Sequence, residues 1–566
     1  MAHRRDRTVV QRRARKIAAA LAAVAGSALL APLASDGREA LCDIPVVQTR
    51  SGPLCGRAVE AAPPGGEKRA LQAYLGIPYA APPIGARRWR APAPAEPWQG
   101  IRRSDDFGPI CPQHLPEDVS IETSEDCLTL NVWTPDPKGA LPVMVFLHGG
   151  SFLDGGSSLP LYDGAHLAAT GPVVVVTLNY RLGVLGFLAG IDGFGGNYGI
   201  LDQQLALRWV RENAAAFGGD PARVTLWGES AGAMSVGIHL LDEESAKLFR
   251  AAILESDPYG IPYKTPEQAR GYANAVVAAL GCSSDDDDDD VSACLRDAPI
   301  DRILEAQMKP PFTEALLLGL PSFVPWAPVV GSPPLAMQPV QGRIDKPMIL
   351  GTNTDEGTLF VALQERAIGS IGAIKYVLET ELALGDHAGK ARALYPPLGP
   401  GGDPEALSHL VTDYLFTCAS RFVLGRSTAP AWSYEFRYAP SFSIWPSFPV
   451  CAPSTGRVCH GAELPFVFGN PFPPVFGEPR ASFTTAEEKL ARTTMQLWTR
   501  FATDFDPSPT GDPPWPRYEG QNPVDLRLTG PLTVGPPRDA HCEFWDALGY
   551  DLSGVLDRIL RGDRKS

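Results

Sequence analysis

The pentapeptide Gly228-Glu229-Ser230-Ala231-Gly232 has the spacing of a nucleophile elbow, a G-x-S-x-G turn between a strand and a helix. In such a turn the serine takes a strained backbone conformation, and its Oγ stands clear of the sheet as a nucleophile for acyl transfer. A bulkier residue in place of either glycine would collide with strand or helix. The pattern alone is weak, because glycine supplies 56 of the 566 residues and chance matches are common. A second constellation, His148-Gly149-Gly150-Ser151-Phe152, suits the other half of that chemistry. Its glycines let backbone amides approach a developing oxyanion, and each such donor is worth about 2.7–4 kcal/mol in measured deletions. Alone, Gly149-Gly150 reads equally well as a plain strand-to-loop turn; the elbow tips it toward an oxyanion loop. A serine nucleophile also needs a base, and nine histidines compete for that role. His148 suits structural support, His239 falls in the helix after the nucleophile, and His460-Gly461 falls on a loop.

These residues need a frame that holds them still. Short apolar runs at 143–147, 173–178, 224–227, 252–254, 348–350 and 432–437 read as strands of a sheet covered on both faces. A helix is expected over Ala231–Leu241. Leu201, Leu205, Ala206 and Trp209 share one helical face, with Arg208, Arg211 and Glu212 elsewhere. Another helix is expected from Thr485, with Glu488 completing a capping box, and it carries Leu490, Leu497, Trp498 and Phe501. Strands alternating with helices indicate an α/β fold around a central, mostly parallel β-sheet flanked by helices.

Longer motifs then appear in order. They are Tyr74-Leu75-Gly76-Ile77-Pro78-Tyr79-Ala80 with Pro82-Pro83 and Gly85, and Ser124-Glu125-Asp126-Cys127-Leu128-Thr129-Leu130-Asn131-Val132. Asn179-Tyr180-Arg181-Leu182-Gly183 follows, then Gly196-Asn197-Tyr198-Gly199 leading to Asp202-Gln203-Gln204, and Ala216-Phe217-Gly218-Gly219-Asp220-Pro221 before the elbow. On these motifs, over residues 74–548, the chain resembles the type-B carboxylesterases, the family of cholinesterases, mammalian carboxylesterases and bacterial para-nitrobenzyl esterases. The resemblance implies an α/β-hydrolase fold with large loop and helical insertions. It implies a serine carboxylesterase acting on small-molecule esters without a cofactor.

The resemblance also assigns residues. The acid lies in Asn353-Thr354-Asp355-Glu356-Gly357 and is Glu356. The base lies in His460-Gly461-Ala462-Glu463 and is His460. With Ser230 this gives the chain order Ser, Glu, His expected of α/β-hydrolases. Gly150, Ser151 and Ala231 supply the oxyanion-hole amides. Glu229 contributes negative potential beside the nucleophile, and Ser256 is a second serine supporting the triad by hydrogen bonding. Arg88 and Glu125 match a structural salt bridge. Two departures stand out. Ser151 replaces a third glycine common in relatives, and residues 112–126 hold no tryptophan, so a choline-stacking site is unsupported. Phe323 and Trp326 are acyl-pocket candidates. Rival readings are a lipase or polyester hydrolase on the same fold, and a cholinesterase-like binding protein that has lost catalysis. The presence of all three triad residues argues against the latter.

Composition sets the outer bounds. Apolar residues are 44% and charged residues 20%, an ordinary globular mixture, while a net charge of −14 argues against nucleic acid as a partner. Seven basic residues from Arg4 to Lys16 precede an apolar run to about Leu33, which reads as a secretory signal over residues 1–35. A membrane anchor is the runner-up, weakened by Pro32; the mature chain has no further span. Residues 36–566 are expected to form one catalytic domain, secreted or periplasmic, with no metal-ligand spacing. Ten cysteines suit an oxidising compartment. The resemblance implies the pairs Cys111–Cys127, Cys282–Cys294 and Cys418–Cys542, leaving the local pairs Cys42–Cys55 and Cys451–Cys459. The six aspartates at 285–290 read as a solvated loop.

Overall fold

The computed structural model describes residues 42–115, 121–282, 288–309, 324–369, 373–397, 403–471, 481–508, 515–520, 525–537 and 541–550. Residues 1–35, expected to be a secretory signal, Phe323 and 285–287 lie outside the described residues. Among these residues eleven strands make one sheet. In chain order they are β1 (Arg57–Ala61), β2 (Arg69–Pro78), β3 (Thr129–Thr134), β4 (Leu141–Leu147), β5 (Val174–Leu178) and β6 (Gly219–Glu229). The series ends with β7 (Ala251–Glu255), β8 (Met348–Asn353), β9 (Ala431–Phe436), β10 (Asp525–Leu528) and β11 (Thr533–Gly535).

In space the order is β1-β2-β3-β5-β4-β6-β7-β8-β9-β10-β11. From β5 through β10 every neighbour is parallel; β1, β2, β3 and β11 are antiparallel. The apolar runs fill both faces because successive side chains alternate. Val143, Val145 and Leu147 of β4 enter one core, and Met144 and Phe146 enter the other. Strand β8 repeats this, with Met348 and Leu350 against Ile349. Each such side chain contributes about 1.5–3 kcal/mol of burial.

The helices cover these faces. α1 (Tyr198–Asn213) buries Leu205, Ala206 and Trp209 and leaves Arg208 and Arg211 exposed. α2 (Ala231–Leu241) follows β6 directly, and α3 (Glu356–Ile368) follows β8. α4 (Leu464–Phe468) and α5 (Thr485–Asp504) pack on the second core. The capping box of α5 is one residue earlier than the sequence suggested. Thr484 is the N-cap and Glu487 its partner. The stretch Thr484-Thr485-Ala486-Glu487-Glu488 offers two overlapping boxes, and the earlier one is used.

The disulfides are Cys42–Cys55, Cys111–Cys127, Cys282–Cys294, Cys418–Cys542 and Cys451–Cys459, the expected pairing. Arg88 grips Glu125 with two hydrogen bonds and also donates to the carbonyls of Arg296 and Ala298, tying the Cys111–Cys127 loop to a helix end. Residues Asp288–Asp290 of the aspartate run begin a helix, Asp288–Asp297, rather than continuing as a loop. Among the described residues no helix is long and apolar enough to cross a membrane.

Candidate active site

The candidate catalytic residues gather at the C-terminal ends of the parallel strands, where open α/β sheets favour sites. Ser230 stands between β6 and α2 with φ 57° and ψ −122°, outside the regions favoured by L-residues. Such strain costs about 1–3 kcal/mol and persists only where surroundings enforce it. Here its amide donates to the Glu255 carbonyl at 2.9 Å, and its carbonyl accepts from Met234 at 2.8 Å. The glycines are steric necessities. A Cβ on Gly232 would lie 1.9 Å from the Leu147 carbonyl oxygen, and one on Gly228 would lie 2.6 Å from the Gly232 backbone.

The loop after β4 wraps over this turn. A Cβ on Gly149 would lie 2.6 Å from Glu229 Oε2 and 3.0 Å from Ser230 Cβ, so only glycine lets the loop approach. Gly150, Ser151 and Phe152 all have positive φ, at 103°, 54° and 60°. Ser151 is thus held in the left-handed region, which glycine would occupy without strain. The Gly150 and Ser151 amides have no protein acceptor among the described residues. Ala231 opens α2, so its amide has no carbonyl one turn earlier. His148 braces the loop. Its Nδ1 lies 2.8 Å from the Gly149 carbonyl, the Tyr180 hydroxyl donates to the His148 carbonyl at 2.7 Å, and the His148 and Tyr180 rings stack. Burial lowers its pKa to about 4, which keeps it neutral. His239 is likewise structural, bonded to Ser245 and Gln203.

Glu356 is fully buried. One oxygen accepts the Asn353 amide at 2.6 Å, and the other lies 2.5 Å from His460 Nδ1. The two loops that carry this pair are stitched together. Asp355 donates its amide to the Val458 carbonyl, and its carboxylate accepts the Val458 amide. The Cys451–Cys459 bridge ends beside His460, the Trp445 indole donates to the His460 carbonyl at 2.7 Å, and Phe360 and Phe416 flank the ring.

The structure does not join Ser230 to His460 by a hydrogen bond. His460 Nε2 lies 3.2 Å from Glu229 Oε1 instead, out of hydrogen-bond alignment. Unliganded sites often have such loose contacts, which tighten when substrate binds. Burial disfavours charge on His460, but the carboxylates of Glu229 and Glu356 outweigh it and raise its pKa to about 9. Burial raises Glu229 to about 8, opposed by His460. The two groups titrate together, since a charged Glu229 favours the imidazolium and the imidazolium favours charged Glu229.

Three further buried groups complete the site. Glu463 accepts from Ser256 at 3.2 Å and from the Asn353 side chain at 2.5 Å. Ser256 therefore reaches the triad through Glu463 and Asn353, not by bonding Glu356, whose oxygens are already taken. Glu255 faces Glu229 across the β6–β7 register and accepts from the Trp498 indole; its other oxygen has no partner. Burial pushes its carboxyl well above the usual range. Glu463 stood in the motif around His460, but burial and strand register are what reveal the cluster. Trp326 packs against Tyr272, and its indole donates to the Gln307 carbonyl, so it is a core residue.

The strand order, the strained serine at the end of β6 and the carboxylate–histidine pair beyond β8 define an α/β-hydrolase fold. A profile of the carboxylesterase family matches residues 43–545, and the chain belongs to that family. It is 35% identical to the crystal protein of Dictyostelium discoideum over 84% of this chain and 88% of that protein. It is 36% identical to the cAMP-regulated D2 protein of the same organism, over 78% and 82%. It is 34% identical to the cholinesterase of Mus musculus, over 84% and 83%.

Proposed function

We propose that this protein is an exported serine carboxylesterase that hydrolyses small-molecule carboxylic esters through an acyl-enzyme. One observation carries the reading: a buried Glu356–His460 pair stands beside a strained serine, under a loop whose amides are unspent. In the proposed reaction Ser230 Oγ attacks the ester carbonyl while His460 Nε2 takes its proton. Glu356 holds Nδ1 protonated and stabilises the imidazolium. The amides of Gly150, Ser151 and Ala231 receive the oxyanion. His460 then protonates the departing alcohol, and water, activated by the same histidine, releases the acid. Export is supported by the basic-then-apolar N-terminal segment and by five disulfides.

Hydrolysis of p-nitrophenyl esters from acetyl to palmitoyl, with Ser230→Ala alongside, tests this. Short-chain turnover that vanishes in the variant is expected. A maximum at long chains would make the protein a lipase. Absence of turnover in folded, oxidised protein would favour a binding role.

A further inference from the structure

Asn353 ends strand β8, just ahead of Glu356, and is only 1% exposed. Its polar atoms reach the segments that carry all three proposed catalytic groups. The backbone amide donates to Glu356 Oε1 at 2.6 Å. The side-chain Nδ2 donates to Glu463 Oε2 at 2.5 Å, and Glu463 follows closely after His460 in the chain. The same Nδ2 donates to Ser256 Oγ at 3.3 Å. Ser256 comes directly after Glu255, whose carbonyl accepts the Ser230 amide at 2.9 Å. Ser256 Oγ in turn donates to Glu463 at 3.2 Å, so Asn353, Ser256 and Glu463 form a closed ring of hydrogen bonds.

The position is chemically exacting. It takes two side-chain N–H donors, one for a carboxylate and one for a hydroxyl. Asparagine supplies both. Aspartate would set a second carboxylate against Glu463, and serine has a single donor. The amide oxygen, Oδ1, is buried with no hydrogen-bond partner. Leaving a buried acceptor unpaired is costly. Turning the amide over would place that oxygen against the Glu463 carboxylate. The side chain therefore gives up one bond to keep both donors on the ring.

The ring also bears on charge. Glu463 is enclosed with Glu356, Glu255 and His460, and Tyr434 of β9 faces the same carboxylates. Burial and the Glu356 charge raise its pKa to about 7, and the Asn353 amide pulls against that rise. Once ionised, Glu463 favours the His460 imidazolium, adding to Glu229 and Glu356.

We propose that Asn353 is a positioning residue that sets the spacing of Ser230, Glu356 and His460 by bonding the segments that carry them. It acts through Glu463 and Ser256 and touches no reacting atom. Its kinetic consequences rest on the esterase reading; its hold on His460 does not.

The test compares wild type, Asn353→Ala, Glu463→Gln and the double variant in turnover of p-nitrophenyl acetate across pH. In Asn353→Ala, kcat should fall roughly tenfold with KM little changed. The rising limb should move to lower pH, because Glu463 without its amide donor holds its proton and no longer favours the imidazolium. In the Glu463→Gln background the same substitution should cost much less, since the ring is already altered there. Asn353→Asp keeps the shape and serves if Asn353→Ala does not fold. It should track wild type best at acid pH, where the new carboxyl shares a proton with Glu463, and fall behind as the pH rises and the two carboxylates repel. If wild type turns over no ester, the esterase reading fails, and the pKa of His460 from its ring resonances in nuclear magnetic resonance still decides: it should be lower in Asn353→Ala. Unchanged kcat and limb in both Asn353→Ala and Asn353→Asp, an equal cost of Asn353→Ala in the Glu463→Gln background, or an unchanged His460 pKa would overturn the proposal.

Discussion

The surroundings of the proposed nucleophile and of the proposed base are built by different physics. Around Ser230 the determinants are steric and made of backbone: glycines at 149, 228 and 232, each facing atoms a Cβ would strike. Around His460 they are electrostatic and made of side chains: Glu229, Glu255, Glu356 and Glu463, all buried. Sterics fix where the serine and the oxyanion donors stand, with little tolerance. Charge sets how readily the histidine gives and takes a proton, over a continuous range. Changes on the first side should therefore act as all-or-none losses, and changes on the second as graded shifts.

The largest effect is expected at Gly232→Ala. Its Cβ would need the Leu147 carbonyl to move from 1.9 Å, and that carbonyl belongs to the central strand β4. Loss of soluble folded protein, read by circular dichroism and yield, is the expected outcome. Normal folding with normal turnover would refute the steric account.

Glu356→Gln comes next. Analogous loss of the triad acid lowers kcat about 10⁴-fold through a wrong imidazole tautomer. Turnover of p-nitrophenyl acetate should fall on that scale with the melting temperature little changed.

Glu229→Gln should give a graded shift. Removing its charge destabilises the imidazolium, so the pKa of His460 must fall from its raised value. The rising limb of kcat/KM against pH should move to lower pH in the variant. A limb that stays in place would mean that Glu229 does not set the base.

The smallest effect is expected from a Cys451→Ser, Cys459→Ser double substitution. That bridge spans a sequence separation of 8 and ends beside His460. Its contribution to stability by chain entropy is about 2–3 kcal/mol. Turnover should drop several-fold at temperatures where circular dichroism still reports native protein. Coincident loss of activity and structure would show that the bridge only holds the fold.

The same contrast explains what was legible in the sequence. Glycine spacing and β-branched runs are local signals, so six strands and the strand–turn–helix around Ser230 could be read directly, whereas Gly149-Gly150 alone read equally well as a plain turn. Glu356 and His460 needed the family resemblance, because nothing local distinguishes a loop histidine that meets an acid 104 residues away. The partnership of Glu229 with Glu255 is a matter of strand register, and that of Ser256 with Glu463 joins residues 207 apart. Neither has a sequence period. The α5 cap was misplaced by one residue because two overlapping boxes satisfy the same rule.

The most direct measurement is to stop the reaction of p-nitrophenyl acetate within the first turnover and map the acyl group by peptide mass spectrometry. The account predicts a single acetyl adduct on the peptide containing Ser230, accompanied by a burst of p-nitrophenol, and neither in Ser230→Ala. An adduct on another residue, or turnover that survives in Ser230→Ala, would contradict it.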